Sequence, residues 1–267
     1  MKQYISFFKL KFSVVLQYRA AALAGMTSQI FFGLVYIMVY TAFYRSGSST
    51  VDMTYKELVT YMWLNQSFFS LICIWHKDSE LINMIKKGDI AYELCRPENT
   101  YVMWFIRIFA TKISSVLLRC IPLIIIALFL PKPYNLSLPY SYLSFIMFII
   151  IMLISSLLLT SLITLMYIFI FHTIDSKGIM GMYCGIAELL AGQIVPLPFL
   201  SNTIRFVIEL LPFAYISDFA FRVYSGNIKG LLIFRGLTIE IIWLIILIIV
   251  GELLTNKVLK RVVVQGG

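Results

Sequence analysis

The chain has 267 residues, of which 60% are hydrophobic and 13% are charged, and its mean hydropathy is +0.90. A soluble domain of this size needs far more polar surface, so that class is excluded. Several apolar runs approach 20 residues with almost no charge, which is long enough to cross a hydrocarbon core of about 30 Å. The runs are continuous instead of alternating, which argues against a membrane β-barrel. The predicted fold class is an all-α polytopic membrane protein.

The formal net charge is +9, and the basic residues lie mainly at the ends of the apolar runs. In that position they indicate membrane topology and contacts to lipid headgroups, so we expect membrane lipids as partners and no nucleic acid. The first 20 residues lack an apolar centre followed by a small-residue cleavage site, and we expect no cleavable signal peptide. The four cysteines show no metal-ligand spacing and are interpreted as packing residues.

Residues 1–20 are predicted to form a helix that lies on the membrane surface. Its polar face carries Lys2, Ser6, Lys9, Ser13 and Gln17, and the opposite face is rich in aromatic and aliphatic side chains. A basic face against an apolar face is typical of an interfacial helix. The alternative is a long cytoplasmic end of the first span.

The first span is predicted over 21–43. Ala21, Gly25, Gln29 and Gly33 recur every four residues there, and they form a narrow stripe where another helix can approach closely. That helix belongs either to this chain or to a partner subunit in the membrane.

The second span, predicted over 56–75, is less apolar and contains Asn65 and Gln66. Amides at membrane depth need hydrogen-bond partners, so these residues are candidates for lining a pathway. Hydrogen bonding between helices, with no role toward a substrate, is the alternative.

A polar loop over 76–100 separates the second and third spans and is predicted to lie in the cytoplasm. Residues 79–87 have the pattern of a short amphipathic helix, with lysines in the last turn and Gly88 as its C-cap. The loop also carries apolar residues, such as Leu81 and Met84, which a solvated connector does not need. We expect lipid or another protein to cover them.

The third span is predicted over 101–130 and the fourth over 142–171. Arg119 lies about 10 Å deeper than the basic residues at the cytoplasmic end of the third span. An arginine at that depth costs a few kcal/mol unless it is paired or hydrated. It is therefore a functional candidate, with Glu188 or Glu240 as its candidate partner, and a structural ion pair between helices is the alternative.

The fifth span begins near 179 and is interrupted by Glu188, Gln193 and two prolines. Non-helical backbone at membrane depth is tolerated only where protein or water covers it. Residues 187–226 are therefore predicted to form re-entrant or outer helices that do not cross the membrane. The sixth span follows at about 230–254 and contains Glu240.

The basic residues favour six spans with both termini in the cytoplasm. In that orientation fourteen of the 22 lysines and arginines fall on the inner side, seven fall on the outer side, and Arg119 lies within the membrane. The whole chain, 1–267, is treated as a single domain.

No catalytic residue and no metal site are predicted. The sequence has no GxxxxGK[ST] phosphate-binding loop, no HExxH and no GxSxG, and its two histidines, His76 and His172, lie in different loops. We therefore expect this chain to have no enzyme activity of its own and to bind no cofactor.

Four segments carry a family resemblance: KKGDIAYELCRPEN at 86–99, GQIVPLPFL at 192–200, LPFAYISDFAFRVYSG at 211–226 and RVVVQGG at 261–267. With the surface helix, the six spans and the polar loop after the second span, they resemble the permease subunits of ABC-2 type transporters. More narrowly, they resemble a bacterial subgroup, which implies the cytoplasmic membrane of a bacterium. The resemblance covers the whole chain, and GDIAYELCRP is its most specific part.

The resemblance implies a division of labour between subunits. A separate cytoplasmic ATPase, present in two copies, binds ATP and Mg, and a second permease, identical or homologous, completes the membrane part. The loop after the second span is then the coupling helix, which docks in a cleft of the ATPase. Carried over to this chain, the docking residues are Glu80, Met84, Lys86, Lys87, Gly88, Asp89, Tyr92, Glu93 and Arg96. The implied function is export of an amphipathic substrate, such as an antimicrobial peptide, a drug or a lipid-like compound.

Other functions stay open at this point. Arg119, Glu188 and Glu240 suit a proton or ion path in a secondary transporter or channel that does not use ATP. An immunity or sensor protein that binds a toxic peptide without pumping it would share the architecture. A membrane-embedded enzyme is a further alternative, but no motif supports it.

Overall fold

The structure, a computed structural model, describes residues 2–17, 19–45, 52–75, 78–87, 98–170 and 176–260. All of the regular structure within those ranges is helical. In chain order the α-helices are α1 (Lys2–Gln17), α2 (Arg19–Arg45), α3 (Tyr55–Ser67), α4 (Phe69–Ile72), α5 (Ser79–Lys87), α6 (Thr100–Phe129), α7 (Tyr142–Ile170), α8 (Ser176–Leu190), α9 (Asn202–Glu209), α10 (Asp218–Ser225) and α11 (Leu231–Leu259). Two short 3-10 helices, Leu197–Phe199 and Pro212–Tyr215, lie on either side of α9.

Local sequence signals explain where several helices begin and end. The Thr54 side chain accepts from the backbone N–H of Glu57, and the Glu57 carboxylate accepts in return from the backbone N–H of Thr54 at 2.8 Å, which is a capping box for α3. The Asn99 side chain caps α6 by accepting from the backbone N–H of Val102. Gly226 ends α10 in the left-handed conformation, with φ at 84°.

The core is centred on α7, the most buried of the long helices, which packs against α6, α10 and α11. α1 lies along α6, where the rings of Phe8 and Phe109 are 6.2 Å apart. The outer faces of α2 and α11 instead expose many large apolar side chains. In a membrane such faces meet lipid or another subunit.

Four of the predicted spans correspond to long helices. By length and apolar composition, residues Leu23–Arg45 of α2, together with α6, α7 and α11, can cross a membrane. The predicted surface helix is also a separate helix, although α1 ends at Gln17 and the prediction extended it to residue 20.

The predicted second span, 56–75, is broken and shorter than expected. α3 ends at Ser67, and α4 adds a single turn. The carbonyl oxygens that a continuing helix would use internally are taken by distant side chains: Ile72 accepts from Gln193 Nε2 at 2.9 Å, and Cys73 accepts from Lys112 Nζ. Tertiary contacts therefore satisfy carbonyl oxygens that the end of the helix leaves free.

The predicted interruption after the fifth span is present as a series of short helices up to Ser225. α8 has 15 residues, and at 1.5 Å per residue it is shorter than a hydrocarbon core of about 30 Å. The six-span count, the re-entrant placement of 187–226 and the cytoplasmic location of both termini stay predictions.

Candidate functional site

The short helix α5 lies within the loop that was predicted to dock onto another subunit, and Asp78 fixes where it begins. Asp78 Oδ1 accepts from the backbone N–H of Leu81 at 3.1 Å, and the Asp78 carbonyl oxygen accepts from the backbone N–H of Ile82 at 3.0 Å. An aspartate at this position satisfies helix N–H groups that have no partner within the helix. Leu81 is fully buried, so one face of α5 is inserted in the protein core.

Arg107 of α6 holds α5 in place. Its Nη2 donates to Asp78 Oδ1 at 2.8 Å, its Nε donates to the second Asp78 oxygen, and Nη2 also contacts the Glu80 carboxylate. The side chains of Arg107 and Asp78 are only 7% and 14% exposed. A bidentate contact of this kind between a guanidinium and a carboxylate is both strong and directional.

Two further elements reach the same cluster. Lys11 of α1 lies 3.4 Å from Glu80 Oε2. The backbone N–H of Asp78 donates to the hydroxyl of Tyr167 in α7 at 2.9 Å. α5 is thus attached to α1, α6 and α7, and Arg107 is the centre of the attachment. The Arg107 charge, with a smaller contribution from Lys11, also lowers the pKa of Glu80 from its ordinary value of 4.5.

The predicted docking residues divide into two groups. Glu80 and Met84 lie on α5, where Glu80 is exposed and Met84 is half-buried against the core. Lys86 and Lys87 form the last turn of α5, and their side chains lie outside the described part of the chain, as do the docking candidates Gly88, Asp89, Tyr92, Glu93 and Arg96. The docking role of the loop therefore stays a prediction.

The expectation that an external partner must cover the apolar side chains of α5 was too strong. Leu81 is buried by this chain itself, and Ile82, Met84 and Ile85 pack partly against the same core. The exposed side chains of α5 whose burial is described are polar, namely Ser79, Glu80 and Asn83. An amphipathic helix buries its apolar face wherever a complementary surface exists, and here α6 and its neighbours supply one.

The polar candidates of the second span bind protein groups. Asn65 Nδ2 donates to the Gln193 carbonyl oxygen at 2.8 Å, so two of the candidates meet, and the Gln193 side chain in turn donates to Ile72. Gln66 packs beside Gly33 of α2, where a Cβ would lie 3.2 Å from Gln66 Cγ. These contacts fit the structural alternative of hydrogen bonding and packing between helices, and a pathway role for the three residues stays a prediction.

A buried polar network next to these amides was not predicted from the sequence. The Tyr61 hydroxyl lies 2.8 Å from the Gly192 carbonyl oxygen and 3.0 Å from Asp218 Oδ1, and Asp218 Oδ1 also accepts from the backbone N–H of Leu197. Arg222 faces the other carboxylate oxygen of Asp218 at 3.2 Å. The spacing of Asp218 and Arg222 by four residues on one helix is a sequence signal for this pair, but nothing in the sequence indicates Tyr61.

The three charged residues that were predicted to lie within the membrane are not brought together. Glu188 Oε2 accepts from Trp75 Nε1 at 2.7 Å, whereas Glu240 Oε1 lies 2.8 Å from the Ser155 hydroxyl. Arg119 makes no ion pair with any described residue, so the predicted pairing with either glutamate is not found. Its guanidinium lies instead beside Gly25 of α2, where a Cβ would come within 2.8 Å of Nη1.

The stripe of small residues in the first span is therefore a packing face within this chain. Gly25 makes room for the Arg119 side chain, and Gly33 makes room for Trp63, whose ring would lie 3.0 Å from a Cβ at that position. Gln29, between the two glycines, is buried, and neither atom of its amide has a hydrogen-bond partner among the described residues.

Long apolar helices joined by short helices, with charged side chains held at one end, define a multi-pass helical membrane protein. The family model described as "ABC-2 family transporter protein" matches residues 30–266, which is most of the chain. The chain belongs to this family and is the membrane component of an ABC transporter, a class that is not itself catalytic and that normally works with an ABC ATPase. No curated protein and no solved structure matches it. The resemblance is confirmed at the level of the family, and the narrower bacterial subgroup is untested.

Proposed function

We propose that this chain is the permease subunit of an exporter that moves an amphipathic substrate across the bacterial cytoplasmic membrane. A separate ATPase in two copies supplies the energy from ATP and Mg, and a second permease completes the pathway. The match of the family model to most of the chain carries this proposal. The loop over 76–100 is the segment that docks onto the ATPase.

The attachment of α5 supports a coupling role for this loop. A docking element transmits motion only if it is rigidly connected to the helices that must move. α5 meets that requirement, because Arg107 joins it to α6, Tyr167 joins it to α7 and Lys11 joins it to α1. A displacement of α5 by an ATPase would therefore be passed on to these three helices.

The ion-coupled alternative requires acidic and basic groups that can exchange protons or ions along a path. Arg119, Glu188 and Glu240 have separate surroundings: the first lies beside Gly25, the second beside Trp75 and the third beside Ser155. Nothing in these contacts links one charge to the next. This arrangement favours the ATP-driven transporter.

Gentle purification of the tagged chain from its native membrane tests the proposal. We expect an ATPase with a phosphate-binding loop to co-purify with the wild type and to be lost from Asp89→Arg, because the charge reversal lies in the docking loop. Lys132→Glu, a charge reversal at an exposed residue predicted to lie on the outer side, is the matched control, and we expect it to retain the ATPase. Purification of the wild type without any ATPase would contradict the docking role and favour the ion-coupled or sensor function.

A further inference from the structure

A cavity of about 180 Å³ lies between α9, the 3-10 helix Pro212–Tyr215, α10 and the first turns of α11. Its rim is apolar: Phe206 on α9 and Leu232 on α11 line it, and both side chains are 58% exposed at the surface of the chain. At its back Phe219 packs onto Gly236, where a Cβ would come within 2.3 Å of the ring. The cavity therefore has an apolar lining and opens on the face where α9 and α11 expose apolar side chains.

The interior of this cavity is charged. Arg222 lines it, is 8% exposed, and contacts Glu209 Oε1 at 2.7 Å and Asp218 Oδ2 at 3.2 Å. Two carboxyl groups thus share one guanidinium. The Glu209 side chain, which is 39% exposed, is the more accessible of the two carboxylates.

A second arginine lines the same cavity. Arg235 of α11 is exposed and forms no hydrogen bond or ion pair with any residue that the structure describes. It lies four residues after the start of α11, about 6 Å along the helix axis. An unpaired arginine at the end of an apolar helix is stabilised by an anion, and a guanidinium group can donate two parallel hydrogen bonds to the oxygens of a phosphate.

Residue contacts place this cavity in the half of the membrane away from the basic end of α11. Trp243 Nε1 donates to the Leu210 carbonyl oxygen at 2.9 Å, so α9 ends against the middle of α11. Lys257 and Lys260 lie at the opposite end of α11. With the topology of the proposed function, on which this placement rests, the cavity faces the outer leaflet.

We propose that this cavity binds the headgroup of a zwitterionic aminophospholipid from the outer leaflet. The phosphate lies on the Arg235 guanidinium, the primary ammonium donates to the Glu209 carboxylate, and an acyl chain follows Phe206 and Leu232. Arg235 and Glu209 both line the cavity, but they form no ion pair with each other. A zwitterion compensates both of them at once, whereas an anionic headgroup satisfies only the arginine and places a like charge near the glutamate.

Phosphatidylethanolamine is the probe for this site, because it carries the phosphate and the primary ammonium. The full-length protein is purified in detergent, stripped of lipid, and given phosphatidylethanolamine, phosphatidylcholine or phosphatidylglycerol in mixed micelles. Native mass spectrometry counts the bound lipid, and the thermal unfolding temperature reports stabilisation. We expect phosphatidylethanolamine to be retained at least tenfold better than the other two lipids and to raise the unfolding temperature.

Three variants separate the site from ordinary lipid contacts. Arg235→Gln is expected to lose most of the bound lipid, and Glu209→Gln to lose the preference for the primary ammonium. Leu232→Trp adds bulk at the opening of the cavity and changes no charged residue. It therefore tests the site even if Glu209→Gln disturbs Arg222. Lys132→Gln, an exposed outer lysine that does not line this cavity, is the matched control and is expected to bind like the wild type.

Equal retention of the three lipids by the wild type, or unchanged binding by Arg235→Gln and Leu232→Trp, would overturn the proposal. In a separate assay with the ATPase added, replacement of the bound lipid during ATP turnover would identify a transported amphiphile with the same headgroup chemistry, whereas a lipid that stays bound is a resident one. Because binding is measured without any ATPase, failure here leaves the co-purification result unaffected, and the two proposals fail separately.

Discussion

Removal of the Arg107 guanidinium, as in Arg107→Gln, is predicted to release α5 from the helix bundle while the rest of the chain stays folded. Arg107 and Asp78 are 7% and 14% exposed, and breaking a buried pair by removing one partner costs about 3–5 kcal/mol. The contact to Glu80, whose side chain is 66% exposed, contributes less than about 1 kcal/mol. The Asp78 contact therefore dominates the effect.

Hydrogen exchange of the α5 amides measures this release directly. A local loss of about 3 kcal/mol corresponds to exchange that is faster by about 100-fold, and we expect that increase in 79–87 together with retained assembly but reduced transport per ATP hydrolysed. Asp78→Ala should have a larger effect, since it also removes the helix cap, worth about 1 kcal/mol. Asp78→Asn keeps a capping side chain and should accelerate exchange less than Asp78→Ala does.

The double variant Asp78→Asn with Arg107→Gln tests whether the pair itself is responsible. Because both charges are then absent, no uncompensated charge is buried, and the double variant should exchange no faster than Arg107→Gln alone. Lys9→Gln, at an exposed position of α1, is the control and should leave α5 unchanged. Exchange in 79–87 that is less than threefold faster in Arg107→Gln would refute the reasoning.

Three other changes have defined outcomes. Gly192→Ala should cost at least about 2 kcal/mol of unfolding free energy, since φ is 71° and a Cβ would lie 2.8 Å from the buried Tyr61 hydroxyl. Gly181→Ala, with open space around its Cβ position, is the control and should be neutral or slightly stabilising. Equal unfolding temperatures for the two variants would contradict this prediction. Arg119→Gln should lower transport but change the unfolding free energy by less than about 1 kcal/mol, because no described residue pairs with Arg119; a large loss of stability would instead indicate a structural role. The lowered pKa of Glu80 stabilises the attachment of α5 above the ordinary value of 4.5, and this contribution is lost as pH falls through the lower folded value. Limited proteolysis of 76–100 should therefore be constant from pH 8 to 5 and should become faster only below 4.5. Acceleration already at pH 6 would be inconsistent with a role for this carboxylate.

The sequence predicted those features that depend on composition and on local pattern. Long apolar runs predicted α6 and α7 close to their observed limits, because burial of a continuous apolar surface fixes a membrane helix without reference to its neighbours. They also predicted α11, which continues five residues beyond the predicted end at 254. Polar residues with helical spacing gave α1 and α5. Prolines, glycines and charges after Leu190 correctly indicated short helices there.

The broken second span shows where local pattern fails. No proline or glycine in 56–75 indicates an end at Ile72, and the side chains that satisfy the carbonyl oxygens there, Lys112 and Gln193, are distant along the chain. The same limit applies to Arg119, for which two glutamates were predicted as partners and Gly25 is the observed neighbour.

By itself, the sequence determined that this is a helical membrane protein with a polar loop after the second predicted span, and the family follows from the chain as a whole. Only the tertiary structure decided which polar and charged side chains meet. Arg107 lies 29 residues from Asp78, and Tyr61 lies 157 residues from Asp218. Pairs so distant along the chain are formed by helix packing, and the free energy that selects them depends on burial and geometry, which one-dimensional periodicity does not contain.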